Sequence, residues 1–251
     1  MNEAKKIENF ARYEFKYLLN KAQSDSIEKE ASNFMQYDGY ASQENDNSYH
    51  VRSQYFDNDF SSHFYEKVDG MRERYKYRIR TYGASQDDNN PIFLEKKGRK
   101  LERTYKQRYP IEFKYLKMFY NLDMIERLLD IFPGVGLIQD FVFDSIRKSI
   151  SPKIIVDYSR TPYVSDFDHY FRLTFDQSLN SSLVEYSFDL YSNKRIWYKM
   201  VAGYTILEVK FFRRIPPWFH RIIQSYGLRR LSISKFAKGM EYCGIARDTG
   251  L

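Results

Sequence analysis

The sequence predicts a mainly β protein of the α+β class, in which antiparallel strands form a barrel with helices packed outside. Three observations support this fold class. Eight to ten segments have strand-like patterns, and only a few have helical ones. The chain contains 23 Tyr and 20 Phe, and aromatic side chains favour pleated surfaces. Nearly every strand-like segment has one aromatic or aliphatic face and one charged face.

The predicted elements follow one another without a repeat or a long linker, so we expect one domain over residues 1–251. Alternating polarity predicts strands at 11–19, 49–56, 72–82, 91–98, 101–111, 137–148, 153–159, 170–175, 184–191 and 205–212. A helix is predicted at 24–35 with Ser24 as its N-cap, and another at 112–132 that ends before Pro133. Two further helices are expected, one after Pro216 that ends near Gly227 and one that starts at Ser234.

Composition narrows the class of partner and the compartment. The chain has 40 Lys and Arg against 33 Asp and Glu, a net charge of +7 that favours an anionic partner. Nucleic acid, an anionic membrane or a phosphorylated small molecule would all fit that charge. Cys243 is the only cysteine, and the N-terminus lacks the apolar run of a signal peptide. No stretch approaches 18 apolar residues, so we expect a soluble, cytoplasmic protein.

The most informative segment is RERYKYRIRTYG at 72–83, because every second side chain is a cation. The five cations that share one strand face are Arg72, Arg74, Lys76, Arg78 and Arg80. A solvated outer face is the ordinary explanation for polar alternation. Solvent faces normally mix signs, however, because like charges side by side repel. Five cations without an acid are better explained by an anion that this face is built to meet.

Other strands repeat the arrangement and add a few carboxylates. The cations on their charged faces are Lys16, Lys97, Lys106, Arg108, Arg172 and Lys210, and Arg160 follows the segment KIIVDYS. Glu14, Glu95 and Glu208 share strand faces with these cations. A sandwich with charged exteriors would satisfy the two-faced strands, as would a barrel with a charged lumen and helices outside. The predicted helices need an apolar surface on which to pack, which favours the barrel.

A charged lumen implies an occupant, because buried charges must be paired or solvated. Linear polyphosphate and nucleoside triphosphates are dense, flexible anions, and the arginine fork binds phosphate oxygens with two hydrogen bonds. Carboxylates together with substrate phosphates make a typical Mg²⁺ or Mn²⁺ site. Alternatively, Glu14 and Glu95 only form ion pairs with neighbouring cations. Nucleic acid is disfavoured, because these strands place cations and aromatic rings on opposite faces.

Six motifs carry a family resemblance: RYEFKYLL, RSQYFD, YKYRIRTYG, IFLEKK, ILEVKFF and LSISKFAKGM. In this order, over about residues 10–245, they resemble the VTC domain, the polyphosphate polymerase branch of the CYTH-like triphosphate tunnel metalloenzymes. The resemblance implies an eight-stranded tunnel barrel open at both ends. It also implies transfer of the γ-phosphate of ATP onto a growing inorganic polyphosphate chain, with Mn²⁺ or Mg²⁺.

The resemblance also assigns residues to roles. It implies six catalytic residues that hold the reacting phosphates: Lys16, Arg78, Arg80, Lys97, Arg172 and Lys210. As further phosphate-binding residues we expect Lys106, Arg108, Arg160, Lys235, Arg74 and Lys76. Glu208 is expected to bind the metal, with Glu14 and Glu95 as additional candidates.

Two departures from related sequences affect the functional prediction. Hydrolytic relatives begin with Glu-x-Glu-x-Lys, whereas this chain has Arg12, Glu14 and Lys16 at those positions, which favours the polymerase branch. A non-catalytic binding module and a tunnel-type inorganic triphosphatase are the alternatives. Eukaryotic members join the domain to an SPX module and membrane helices, so we expect any membrane-protein partner here to be a separate protein. The motifs specify no oligomeric state.

Overall fold

The structure is a computed structural model that describes residues 12–38, 47–83, 90–168, 170–184, 190–192 and 194–248. Its strands are β1 (Tyr13–Asn20), β2 (Met35–Tyr37), β3 (Tyr49–Asp57), β4 (Glu73–Tyr82), β5 (Ile92–Lys100), β6 (Arg103–Ile111), β7 (Ser151–Ser165), β8 (Arg172–Leu183), β9 (Tyr198–Lys199) and β10 (Tyr204–Phe211). Its α-helices are α1 (Lys21–Ala31), α2 (Ser62–Val68), α3 (Leu122–Ile125), α4 (Arg127–Ile131), α5 (Gly136–Lys148), α6 (Pro217–Ser225) and α7 (Lys235–Tyr242). A 3₁₀ helix, Phe113–Tyr120, precedes α3.

Eight strands form one antiparallel sheet in the order β1-β10-β8-β7-β3-β4-β5-β6, and the short strands β2 and β9 add to β7 and β8. The two edge strands approach each other where the sheet curls round. Arg12 and Thr104 form an antiparallel bridge there, with backbone N–H···O distances of 3.3 and 3.1 Å. A single bridge joins the edges instead of a continuous ladder, and the sheet encloses a channel. The predicted tunnel architecture is therefore confirmed.

Helices cover two regions of the outer surface of the sheet. Tyr77 and Ile79 of β4 pack under α3, α4 and α5, while Leu173 of β8 and Val209 of β10 pack under α1 and α6. Both regions use the apolar faces of the strands, as the alternating patterns predicted. These faces supply most of the hydrophobic driving force, at about 25 cal/mol for each Å² of apolar surface buried.

The last helix, α7, lies on the opposite side of the sheet. Phe236 and Met240 pack on Ile154 and Val156, which share their strand face with the channel-lining Arg160. Gly239 allows this close contact, because a Cβ there would lie 2.5 Å from Cδ1 of Ile154 and that side chain would have to shift. Helix α7 therefore fills part of the interior at one end. A helical sequence pattern alone does not reveal which side of a sheet the helix will cover.

Several predicted elements differ from the structure. Segment 137–148 is the helix α5 and not a strand, because its buried residues follow helical spacing: Ile138, Phe141, Val142 and Ser145. Helix α1 begins at Lys21, where Asn20 and Gln23 form a capping box, so Ser24 is a buried helical residue and not the N-cap. The 112–132 region is divided into the 3₁₀ helix, α3 and α4.

The strand predicted at 184–191 is absent from its described residues, and positions 185–189 lie outside them. Among the described residues, no helix is long and apolar enough to cross a membrane.

Candidate functional site

The charged faces of the strands line one cavity of about 1020 Å³ inside the sheet. Every predicted site residue lines this cavity except Glu95. Among the described residues, the lining holds sixteen Lys and Arg side chains against four Asp and Glu, an excess of twelve cations. The sequence prediction that the basic faces point inward is therefore confirmed as a matter of placement. The roles assigned to individual residues remain predictions.

Glu95 lies beneath the cavity wall and is fully buried. The guanidinium group of Arg78 contacts its Oε2 atom at 2.6 Å through Nε and 2.5 Å through a terminal nitrogen. Arg80 and Lys106 each lie 3.8 Å from its carboxylate oxygens. Burial acts to raise the pKa of Glu95, but these cations outweigh it and hold the pKa below its ordinary range. This geometry favours the ion-pair interpretation of Glu95 over the predicted metal ligand.

Glu208 lies at the centre of a second cluster on β10. Its carboxylate accepts a hydrogen bond of 2.7 Å from Lys235 and lies within 3.4 Å of three other cations: Lys16, Arg160 and Lys210. Burial raises the pKa of Glu208, but the ammonium groups around it dominate and keep the pKa well below its usual range. The carboxylate is therefore ionised at neutral pH and is a weak base.

Glu14 joins β1 to β5 across the bridge between the edge strands. Its oxygens lie 3.0 and 3.1 Å from Nζ of Lys97 and 3.3 Å from Nζ of Lys16. Burial raises the pKa of Glu14, but Lys97 and Lys16 outweigh it, so this pKa also lies well below the ordinary value. Lys16 is thus held between the carboxylates of Glu14 and Glu208.

Asp176 is a member of the site that the sequence prediction missed. This fully buried carboxylate accepts hydrogen bonds of 2.6 Å from Nε and 2.7 Å from a terminal nitrogen of Arg160, and another from Lys235. The sequence pattern could have indicated Asp176, because it shares the charged face of β8 with Arg172. The pairing with Lys235 could not be predicted from the pattern, since it joins residues 59 positions apart in the chain.

Some channel cations have no close carboxylate partner among the described residues: Lys76 pairs with none, and Arg80 lies 3.8 Å from the carboxylate of Glu95. Lys76 is bound only weakly, donating a 3.2 Å hydrogen bond to Oγ of Ser234. Arg80 donates to Oγ of Ser53 at 3.0 Å and to the hydroxyl of Tyr158 at 3.2 Å, both neutral groups. Burial and the neighbouring Lys97 lower the pKa of Lys76 well below its ordinary value. Such incompletely compensated cations would gain most from an anionic occupant.

Two predicted site residues lie towards the cavity rim. Arg172 is half exposed and lies 3.7 Å from a carboxylate oxygen of Asp38. Arg74 donates a hydrogen bond to the carbonyl of Met71, at the start of β4. Their positions suit the reception of an anion at the ends of the channel more than contact with a group at its centre.

The segment 231–234 places Lys235 and completes the wall beside β1. The backbone N–H of Leu231 donates to the Lys16 carbonyl at 2.8 Å, and Nζ of Lys16 donates to the Ile233 carbonyl at 3.0 Å. Ser234 caps α7 through the N–H of Ala237, as predicted. These bonds fix the start of α7 and thereby hold Lys235 against Glu208.

The described residues contain no group of three or more His, Cys, Asp or Glu side chains arranged to hold a metal ion. Glu14 and Glu208 nevertheless fit a divalent cation that substrate phosphates help to bind. Both carboxylates are ionised, both line the cavity, and both lie within 3.4 Å of the same ammonium group, that of Lys16. Mg²⁺ and Mn²⁺ are commonly held by one or two carboxylates plus phosphate oxygens.

Comparison with solved structures finds similar folds at low sequence identity. The protein bh2851 from Bacillus halodurans, provisionally described as an adenylate cyclase, is 13% identical with a TM-score of 0.51, covering 90% of this chain and 94% of that one. PH1819 from Pyrococcus horikoshii OT3 is 14% identical with a TM-score of 0.47, covering 92% and 98%. HpAC1 from Hippeastrum, described with a dominant triphosphatase activity, is 14% identical with a TM-score of 0.45, covering 92% and 96%.

No curated protein sequence matches the chain. The family model of the VTC domain matches residues 11–243, which include every strand of the sheet and every channel residue described above. Because the family model matches nearly the whole chain, the chain belongs to the VTC domain family.

Proposed function

We propose that the protein is a metal-dependent polyphosphate polymerase that transfers the γ-phosphate of ATP to a growing polyphosphate chain. The main support is the excess of twelve cations that the described part of the chain places on the wall of an enclosed cavity. Fixed cations in a site with little water stabilise the charge that develops on phosphoryl oxygens, and they need no reorganisation when it does. A linear chain of phosphates supplies the matching negative charges.

The transfer requires few proton movements. A terminal phosphate oxygen of the acceptor chain forms a bond to the γ-phosphorus, and the bond from that phosphorus to the β–γ bridging oxygen breaks, releasing ADP. The attacking oxygen is already anionic, so no general base is needed. Arg80 and Lys76 would contact phosphates directly, while Lys16 would be held in place between Glu14 and Glu208. A divalent metal bound with these carboxylates would neutralise further charge on the phosphates.

The carboxylates also bear on the choice between polymerase and triphosphatase. Hydrolysis requires a water molecule to lose a proton, which a nearby carboxylate can accept only if it is a sufficient base. Glu14 and Glu208 are poor candidates, because the cations beside them lower their pKa values. Neither carboxylate therefore supplies the base that hydrolysis needs, whereas attack by an anionic phosphate needs no base.

One assay separates the proposal from its alternatives. We expect purified protein incubated with ATP and Mn²⁺ to produce long-chain polyphosphate and ADP. Inorganic phosphate as the sole new phosphate species would indicate a triphosphatase, and unchanged ATP would indicate a binding module. Lys199→Ala is a matched control, because this exposed lysine lies on β9 and does not line the cavity. It should synthesise polyphosphate at the wild-type rate.

Glu208→Gln is expected to raise the Mn²⁺ concentration that half-saturates synthesis by at least about tenfold. Loss of a group that only supports a metal ligand already costs about 10- to 100-fold in metal affinity, and loss of a ligand carboxylate should cost no less. The measurement is a Mn²⁺ titration of the initial rate, with circular dichroism to confirm folding. A Mn²⁺ titration that coincides with that of the wild type would assign the metal to other groups.

The protein is expected to take up protons when it binds an anion at alkaline pH. Lys76 has a lowered pKa in the empty channel, so part of its population is neutral between that pKa and the ordinary lysine value of about 10.4. Bound phosphate stabilises the ammonium form and raises the pKa again. Affinity for tripolyphosphate should therefore fall as the pH rises through this window.

Calorimetry at pH 9 in two buffers with different ionisation enthalpies measures the number of protons taken up. Lys76→Arg should take up fewer protons than the wild type, by as much as one, because a guanidinium group is protonated in both states. Equal uptake by the two proteins would show that Lys76 does not contribute.

A further inference from the structure

Three aromatic rings interrupt the cationic wall at the end of the channel where β4 stops and β5 starts. Tyr82 lies two positions beyond Arg80 on the same face of β4, and Phe93 lies directly opposite Arg80 on β5. Tyr49 is paired with Arg160 between β3 and β7. All three rings line the cavity and are partly exposed. Deeper in the cavity the lining rings of Tyr55 and Tyr158 are buried. Their hydroxyls accept hydrogen bonds from Arg78 and Arg80, whereas the rings at this end leave part of their aromatic surface exposed.

The three rings form one continuous group, which we call the aromatic rim. The ring centroids of Tyr49 and Tyr82 are 5.7 Å apart, those of Tyr82 and Phe93 are 6.3 Å apart, and both pairs are edge-to-face. The guanidinium carbon of Arg108 lies 4.8 Å from the centroid of Phe93. Tyr49 and Tyr82 also pack partly on a hydrophobic cluster, whereas Phe93 belongs to none of the three clusters of the described residues.

The chemistry of the rim differs from that of the rest of the channel. Inorganic polyphosphate and tripolyphosphate have no apolar part, so the faces of aromatic rings beside their binding cations would find no stacking partner in them. A nucleoside triphosphate joins a flat, polarisable base to a phosphate chain. Aromatic rings and arginine planes are the groups on which proteins stack bases without reading their identity.

Resting on the proposed function, we infer that the aromatic rim and Arg108 form a stacking site for the base of a nucleoside triphosphate. The phosphates of the same molecule extend inward to Arg80, which adjoins both Tyr82 and Phe93. The rim thereby distinguishes the nucleotide donor from inorganic phosphate chains that share the channel. Because no hydrogen-bonding readout is invoked, we expect tolerance among purine bases.

The test compares two ligands with and without the rings. Binding of the β,γ-imido analogue of ATP and of tripolyphosphate is measured by calorimetry in EDTA, for wild type, Tyr82→Ala, Phe93→Leu and Tyr82→Phe. Removal of one stacking ring typically weakens base binding by about 5- to 150-fold. We expect a loss in this range for the ATP analogue with Tyr82→Ala and Phe93→Leu, and tripolyphosphate affinity within about twofold of wild type. Tyr82→Phe keeps the ring and should bind both ligands like wild type.

The ratio of the two affinities is the diagnostic quantity. Equal losses for both ligands, or no loss for the ATP analogue in either ring variant, would overturn the inference while leaving the proposed function intact. Unchanged tripolyphosphate binding also shows that each variant is folded. If wild-type protein binds neither ligand, the proposed function fails and the stacking site with it.

Discussion

Arg80→Ala is expected to reduce polyphosphate synthesis from ATP by at least about a hundredfold, the usual cost of removing one fixed group that stabilises transition-state charge. Arg80 suits this role because its partners are neutral hydroxyls, those of Ser53 and Tyr158, and its nearest carboxylate oxygen is 3.8 Å away. The variant should fold normally. Glu95 keeps its close contact with Arg78, so no buried carboxylate loses its main partner.

The rate is measured as polyphosphate formed from ATP and Mn²⁺, and the fold by thermal unfolding. Lys199→Ala controls for loss of a positive charge away from the channel. Arg80→Lys keeps the charge but lacks the planar fork, so its rate should fall between those of wild type and Arg80→Ala. A folded Arg80→Ala protein with wild-type activity would remove Arg80 from the proposed mechanism.

Glu95→Gln is expected to have the opposite phenotype, with a large loss of stability. The substitution leaves Arg78 buried without its carboxylate and adds to repulsion with Arg80. Breaking a buried ion pair from one side typically costs about 3–5 kcal/mol. For a chain of this length that corresponds to a fall of roughly 6–20 °C in melting temperature.

Thermal unfolding of Glu95→Gln beside Glu102→Gln provides the comparison. Glu102 also pairs with arginines, Arg99 and Arg230, but its carboxylate is largely exposed, and exposed pairs contribute little. Glu102→Gln should unfold within a few degrees of wild type. If the two variants unfold at the same temperature, the ion pair beneath the channel wall is not a main source of stability.

The two variants differ because one removes a cation from the channel cluster and the other removes a carboxylate. Losing Arg80 costs Glu95 only a contact of 3.8 Å and leaves the closer ion pair of Glu95 with Arg78 intact. Losing a carboxylate such as Glu95 increases the excess of cations. Function and stability thus depend on different members of the same cluster, although both kinds of residue lie on the same strand faces.

Local alternation explains why the channel wall was predictable from sequence. On β4, each cation that alternates with Tyr75, Tyr77 and Ile79 must point away from the apolar face, whatever the rest of the fold. The same argument placed Glu208 and Lys210 on β10. The helix α5 was mistaken for a strand because its residues 137–148 have both alternating and helical spacing, and only packing against β4 selects the helix.

Contacts between segments that are distant in the chain could not be predicted from the sequence. The bridge of Arg12 to Thr104 depends on the curl of the whole sheet, and the pairing of Asp176 with Lys235 depends on α7 entering the channel. Sequence alternation likewise placed Glu95 among the channel carboxylates, but it could not show that Arg78 would cover it. These features arise from the closure of the sheet, which no local pattern encodes.

We propose that the enclosed cations are arranged for a linear phosphate chain. Thermal unfolding with tripolyphosphate, compared with sodium chloride at equal ionic strength, tests it most directly. Binding relieves repulsion only in the folded state, so ligand at a hundred times its dissociation constant should stabilise the protein by about 2.7 kcal/mol. We predict a clear rise in melting temperature with tripolyphosphate and a much smaller one with the salt. Equal melting temperatures in the two solutions would show that the channel does not bind a phosphate chain.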